Sequence, residues 1–141
     1  MEETDIQNRF FFQTLSNLTE VGKIQSDYKR ARKIFREIRS YPFYKIFVAV
    51  KDNGEIIGST TLLIEQKFVH NGGRVGHIED VATRKEYQGI GVGSALIRRS
   101  IEFAKRKQCY KVILDCSDKN IPFYEKLGFK RYEISMRCDL Q

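Results

Sequence analysis

Apolar side chains recur at two different periods along this chain, and each change of period marks a change of element. Residues 5–18 carry Ile6, Phe10, Leu15 and Leu18 at near-helical spacing, with Thr4 or Asp5 placed to cap the first turn. A second helix is expected over 26–40, with Ser26 as its cap and Tyr28, Ala31, Ile34, Phe35 and Ile38 as its apolar stripe. Tyr41-Pro42 ends it, because the residue before proline avoids the helical region. The pattern then turns strand-like. Strands over 46–50 and 56–65 flank Asp52-Asn53-Gly54, a hairpin turn sequence, and Gly72-Gly73 precedes a third strand over 75–83. Helical spacing returns in Val92, Ala95, Leu96, Ile97, Ile101, Phe103 and Ala104, predicting a helix over 91–107 whose basic residues gather near the C-terminal end, as the helix dipole favours. Residues 110–116 are apolar at the centre and predict a short buried strand. A short helix over 119–127, closed by Gly128, and a last strand over 129–138 complete the chain. Hairpins first and a βαβ pattern afterwards imply one mixed α+β domain over residues 1–141.

Composition adds few constraints. The 141 residues, 41% hydrophobic and 30% charged, are those of an ordinary soluble domain. Such a chain buries about 68–70% of its unfolded surface. No apolar run approaches the roughly 18 residues of a membrane span, and no membrane partner is expected. Met1-Glu2-Glu3-Thr4-Asp5 is acidic where a signal peptide would be basic and then apolar, so a cytoplasmic location is expected. Cys109, Cys116 and Cys138 form no CxxC pair and leave an odd count, which argues for buried reduced thiols rather than disulfides or structural zinc. His70 and His77 belong to no spaced ligand cluster, so no metal is expected.

A net charge of +7 favours anionic partners, either nucleic acid or a phosphorylated small molecule. Lys29, Arg30, Arg32, Lys33, Arg36 and Arg39 concentrate much of that excess on one helix, where a solvated basic face is the plainer explanation. No nucleic-acid reader motif is present, and none is expected as a partner.

The chemistry begins at Gln88-Gly89-Ile90-Gly91-Val92-Gly93-Ser94, between a strand and an amphipathic helix. Alternate glycines leave a bare backbone, so a phosphate can reach main-chain N–H groups at the positive end of the following helix. No lysine follows as in a Walker A loop, and the GxGxG spacing fails the dinucleotide fingerprint. No GxSxG serine nucleophile is present.

Strand, Q-G-x-G-x-G, helix, strand and Asn120-Ile121-Pro122-Phe123-Tyr124-Glu125-Lys126-Leu127-Gly128-Phe129 together resemble the GNAT superfamily of acetyl-CoA-dependent N-acetyltransferases. Further segments are similar to the glucosamine-6-phosphate N-acetyltransferases. They are Leu18–Gly22, Ile64-Glu65-Gln66-Lys67-Phe68-Val69-His70, Gly76-His77-Ile78-Glu79-Asp80-Val81, Cys109-Tyr110-Lys111 and Leu114-Asp115-Cys116. The resemblance spans roughly residues 5–138. It implies a GNAT acyl-CoA N-acyltransferase fold, an α/β arrangement with a central, mostly antiparallel sheet splayed at the cofactor site and flanked by helices.

The resemblance also implies roles. Gln88, Gly89, Ile90, Gly91, Val92, Gly93 and Ser94 would hold the pyrophosphate of coenzyme A. Val81, Ala82 and Thr83 would run along the pantetheine arm, and Asn120 and Tyr124 would complete the cofactor site. Thr19, Lys67, Phe68, Val69, His70, Glu79, Asp80 and Val81 would meet the amino sugar phosphate. A partner subunit would contribute Tyr110, Lys111 and Asp115, which makes a homodimer with shared active sites the expected assembly.

Acetyl transfer to an amine needs an amine relieved of its proton, a stabilised oxyanion and a protonated leaving thiol. Glu79, Asp80 and Asp115 are suited to take a proton or orient the amine, and Tyr124 is suited to protonate the sulfur because a phenol is neutral at pH 7. The candidate catalytic residues are therefore Glu79, Asp115 and Tyr124. As neighbours in a strand, Glu79 and Asp80 are expected to face opposite ways, and a carboxylate at Asp115 is costly to bury without a partner.

Two features depart from the family pattern. The superfamily opens with a strand before its first helix, and here that strand is expected to be missing, leaving an edge exposed or covered by a partner. Asp139 stands about where the family carries a basic substrate contact on the last strand, with Arg137 two residues earlier on the same face as the replacement. Rival readings are the same fold acting on a protein N-terminus, a lysine or a polyamine, and a non-catalytic acetyl-CoA sensor or basic nucleic-acid-binding module.

Overall fold

The protein is described here by a computed structural model covering residues 1–140. Four strands, β1 Tyr44–Val50, β2 Ile56–Gln66, β3 Arg74–Thr83 and β4 Cys109–Ile113, lie side by side in the order β1-β2-β3-β4. The first three are antiparallel, and β3 and β4 are parallel. The parallel pair demands a crossover, which α5 (Val92–Arg106) supplies. Together these elements form the mixed α/β sheet the sequence implied.

The hairpin turn falls where its sequence places it. Gly54 takes φ 82, Lys51 N–H donates to Glu55 at 2.9 Å, and the Asn53 side chain accepts from Glu55 N–H at 3.1 Å. Central β2 is buried without alternation from Ile56 to Leu62, as a strand covered on both faces must be. α2 (Arg9–Leu15) packs against β2 and β3, and α5 crosses all four strands. Leu62, Ile64, Ile78, Ile97, Ala104 and Tyr124 make the main core. A smaller core of Ile6, Ala31 and Phe35 joins α1 (Glu3–Gln7) to α3 (Tyr28–Ser40).

Several expectations need correction. The single helix over 5–18 is two helices broken at Asn8, whose side chain instead caps α2 by accepting from Phe10 N–H at 3.1 Å. The first cap is Glu2, in a reciprocal box with Asp5, rather than Thr4 or Asp5. Asp27 caps α3 in place of Ser26, accepting from Arg30 N–H at 3.0 Å. On α3 only Ala31 and Phe35 are buried, while Tyr28 and Ile34 of the expected stripe are exposed. Strand β4 is shorter than expected and not buried: Tyr110, Lys111 and Ile113 are exposed because it has a strand on one side only. Residues 129–138 form no strand, and 130–140 are exposed along their whole length. The cysteines are free but not buried, Cys116 and Cys138 being exposed and Cys109 half-buried.

No strand precedes α1 among the described residues. The Met1 ammonium nevertheless donates to the Ile46 carbonyl at 3.2 Å, so the start of the chain touches the outer edge of β1. On α3, Arg32 and Arg36 pair with Glu3 and Arg39 pairs with Glu2, which accounts for half of that helix's basic run within the fold. No helix is long and apolar enough to cross a membrane among the described residues.

Candidate active site

The site is built where two neighbouring strands part. β3 pairs with β4 from Arg74 opposite Cys109 to His77 opposite Ile113, and then continues alone to Thr83. Beyond Ile113 the chain leaves the sheet, so Glu79, Asp80, Val81, Ala82 and Thr83 have no β4 partner for their main chain on that side. A slot lined by free N–H and C=O groups results, and an extended amide-bearing ligand can pair into it as a strand would.

A β-bulge shapes the same stretch. Ser59 lies opposite Ala82 and Thr61 opposite Glu79, so Thr60 alone faces both Asp80 and Val81. Asp80 absorbs the extra residue with φ 49, and Thr60 Oγ1 donates to the Glu79 carbonyl at 3.3 Å. Strict alternation fails here. Glu79 and Asp80, expected on opposite faces, are both exposed.

Partial burial raises the Glu79 pKa from its ordinary value, and the charges of Asp115 and then Asp80 raise it further, with His77 opposing. Three carboxylates within electrostatic reach make a site that attracts a cationic amine and raises the pKa of one carboxyl group. Asp115 itself is exposed and lies beyond the end of β4, so it needs no buried partner, contrary to the expectation.

The glycine loop enters from β3. Gly89 and Gly91 adopt φ 78 and 94, in the left-handed region, and a Cβ on either would meet nothing within 4 Å. Gly91 is also the N-cap of α5, with no side chain capping the first turn. Main-chain N–H groups of that turn therefore face open space at the positive end of a helix of 15 residues. Gly93 is close-packed, its Cα lying where a Cβ would come 3.3 Å from the Phe123 ring. The bare loop, the uncapped helix and the open β3 edge fit a pyrophosphate-bearing, amide-containing cofactor such as coenzyme A. Asn120 stands exposed at the N-cap position of α6 (Ile121–Glu125), and its side chain makes no capping hydrogen bond.

Tyr124 is 8% exposed and packs edge-on against Phe123 and Phe129. Burial raises its pKa, and the nearby Cys116 adds to the shift, so the phenol keeps its proton at neutral pH. It serves the core and faces Cys116 at once.

The segment after β2, with the short α4 (Val69–Gly72), gathers the remaining candidates. Lys67 Nζ donates to Glu65 at 2.8 Å, and Glu65 also contacts His77 Nε2 at 2.8 Å. His70 and Asn71 take φ 51 and 56, and the His70 ring lies 4.3 Å from that of Tyr110. Gly73 makes that approach possible, since a Cβ there would stand 2.7 Å from the Tyr110 ring. One chain thus brings His70 to Tyr110, and Glu79 to Asp80 and Asp115. Phe68 and Val69 are exposed, as is Thr19. Arg137 is not brought to the site: it lies in the exposed C-terminal segment and pairs with Asp139 at 2.6 Å.

Sequence reading missed two groups. Tyr44 on β1 is perturbed by burial, then by Asp80 and Glu79, so its phenol borders the acidic cluster. Arg84 is buried between β3 and the glycine loop, where its position just past a strand concealed a partner 29 residues away. A hollow of about 670 Å3 on α3, lined by Lys29, Arg32, Lys33, Arg36, Glu37 and Ser40, includes none of the site residues. No cluster of three or more His, Cys, Asp or Glu side chains is arranged to hold a metal ion among the described residues.

Comparison with known proteins fits this geometry. Residues 8–129 match the model of the acetyltransferase (GNAT) family. The chain is 42% identical to a glucosamine 6-phosphate N-acetyltransferase of Trypanosoma brucei brucei, over 99% of this chain and 92% of the relative. It is 37% identical to the Candida albicans protein of the same name, over 96% and 89%. The crystal structure of glucosamine-6-phosphate N-acetyltransferase from Arabidopsis thaliana superposes with a TM-score of 0.91 at 34% identity, covering 100% of this chain and 95% of that one. With a splayed sheet, an uncapped glycine loop and a family match over most of its length, this chain belongs to the acetyltransferase (GNAT) family.

Proposed function

We propose that the protein transfers an acetyl group from acetyl-CoA to the 2-amino group of glucosamine 6-phosphate, giving N-acetylglucosamine 6-phosphate and CoA. The observation that carries this reading is the parting of β3 from β4 past His77, with an acidic cluster at one end of the slot and the glycine loop at the other. The relatives support the choice of acceptor.

Acetyl-CoA supplies an activated thioester; everything else falls to residues of the chain. The N–H groups from Gly89 to Ser94 hold the pyrophosphate, with Gln88 steadying the loop by donating from Nε2 to the Thr83 carbonyl at 3.2 Å. Val81, Ala82 and Thr83 align the pantetheine arm through main-chain hydrogen bonds. Asp80 and Asp115 draw in and orient the amine. Glu79, its pKa raised by partial burial and by the neighbouring carboxylates, takes the proton. The Val81 N–H supports the oxyanion. Tyr124 donates a proton to the departing thiolate. Lys67, His70, Tyr110 and Lys111, with Thr19, Phe68 and Val69, surround the sugar phosphate. The attack is direct, since Cys116 lacks a histidine base and forms no acetyl-enzyme.

The functional unit in this reading is a homodimer. β4 leaves one edge unpaired, and residues 130–140 carry Tyr132, Ile134, Met136 and Leu140 at 82–93% exposure with strand-like spacing. An exposed sheet edge and an unpaired apolar strand sequence are mutual remedies across two copies. The same arrangement brings the segment carrying Arg137 to a neighbouring site. Three free thiols suit a reducing, cytoplasmic setting.

The test is CoA release from acetyl-CoA with glucosamine 6-phosphate, unphosphorylated glucosamine and a peptide amine in parallel. Strong preference for the phosphorylated sugar is expected. Equal rates with all three leave the acetyltransferase and remove the acceptor assignment, and no release with any amine leaves a cofactor sensor.

A further inference from the structure

The glycine cradle has almost no packing of its own: side chains at Gly89 and Gly91 would touch nothing, and Ile90 is 71% exposed. A loop this bare owes its position to its flanks. Downstream, α5 is seated on β2 at Gly58, and upstream stands a charge cluster, built on the buried Arg84, that the transfer chemistry does not use.

Arg84 is its centre. The side chain is 7% exposed and ion-pairs with Glu55 of the β1–β2 turn and with Glu86. Its guanidinium lies 5.0 Å from the ring centroid of Phe10 of α2 and 5.5 Å from that of Tyr87 of the loop. Tyr87 Oη donates to Glu55 at 3.3 Å and accepts from Lys51 Nζ at 3.1 Å, while Lys51 also pairs with Glu55 at 3.4 Å. The backbone is tied down alongside, Arg84 N–H donating to Ile57 at 2.9 Å, Tyr87 N–H to Arg84 at 2.8 Å, and Lys85 N–H to the Asn17 side chain at 3.0 Å. Two cations and two carboxylates cancel, so the cluster adds no net charge that would attract a ligand. A well-packed apolar group in such a place is often at least as stable, so what the charges add is a defined geometry.

We propose that Arg84 is a positioning residue for the cofactor loop. Its fork onto Glu55 and Glu86, held between Phe10 and Tyr87, fixes the path of residues 85–88 and thereby aims the N–H groups of 89–94. This rests on the reading of that loop as the coenzyme A pyrophosphate site.

The experiment compares acetyl-CoA with S-acetylpantetheine, which carries the thioester and pantetheine arm but no pyrophosphate. Wild-type protein is expected to favour acetyl-CoA strongly. Arg84→Lys keeps the charge and loses the fork, and should raise KM for acetyl-CoA by about tenfold, with kcat, acceptor KM and the kcat/KM for S-acetylpantetheine within about twofold. Should Arg84→Lys fail to fold, Tyr87→Phe keeps the ring, removes two hydrogen bonds of the cluster, and should give the same pattern at about threefold. Equal losses with both donors mean a general structural role and overturn the proposal, as does an unchanged KM. A wild-type protein indifferent to the two donors overturns the loop assignment itself.

Discussion

Glu79 shows how a single side chain acquires its chemistry from the turn of the backbone beneath it. The bulge at Asp80 exposes two successive carboxylates, and with partial burial and Asp115 it raises the Glu79 pKa. The folded protein then holds that proton more tightly than the unfolded chain. This contributes stability below the ordinary carboxyl pKa, and the contribution is lost as pH rises through the raised folded value. Asp115→Asn removes one of the opposing charges, so it should shift the acid limb of the kcat/KM profile to lower pH and add stability at neutral pH. A limb that stays in place would show that Glu79 is not the base. Tyr124 makes a separate prediction. Its hydroxyl has no protein hydrogen-bond partner among the described residues, so Tyr124→Phe should leave the urea midpoint nearly unchanged while kcat falls about 10²-fold and acetyl-CoA affinity holds. A large loss of stability with an unchanged kcat would make it a core residue alone.

Between elements, Gly58 links the fold to the loop. A Cβ there would come within 2.6 Å of Val92 Cγ1 and 2.9 Å of Leu96 Cδ1, both on the first turns of α5. Gly58→Ala should therefore lift the helix that carries the cradle, costing about 1–3 kcal/mol in denaturant unfolding and raising KM for acetyl-CoA. Periodicity alone could not reveal that contact, because it joins residues 34 apart in the chain. What periodicity did reveal is instructive: β1, β2, β3 and α5 were legible because each has a neighbour on the face its apolar residues mark. β4 reads as buried because its centre is apolar, and residues 129–138 read as a strand because apolar side chains alternate there, yet in a single chain β4 has a strand on one side only and residues 129–138 pair with none. Asn8 divided a helix because its side chain competes for Phe10 N–H, a local choice that a hydrophobic stripe cannot express. Of the site, the glycine loop was legible from composition. The Asp80 bulge and the Arg84 cluster were not, since a strand register and a pairing across 29 residues exist only in the fold.

Over the whole molecule, the unsatisfied features lie together at one edge. β4 offers an unpaired edge, Tyr110 and Ile113 are 41% and 38% exposed, and residues 130–140 leave Tyr132, Ile134, Met136 and Leu140 82–93% exposed. A monomer in water would keep both liabilities, whereas two copies exchanging residues 130–140 would bury them and complete each sheet. Light scattering on the intact chain should then give the mass of a dimer. A variant ending at Lys130 should be monomeric, should lose stability, and should show a higher KM for glucosamine 6-phosphate than for acetyl-CoA, because the acceptor side is where a partner's residues would reach. An intact chain that is monomeric at assay concentration, with full activity, would mean that each site is complete within one copy. The roles of Tyr110, Lys111, Asp115 and Arg137 would then belong to a single chain.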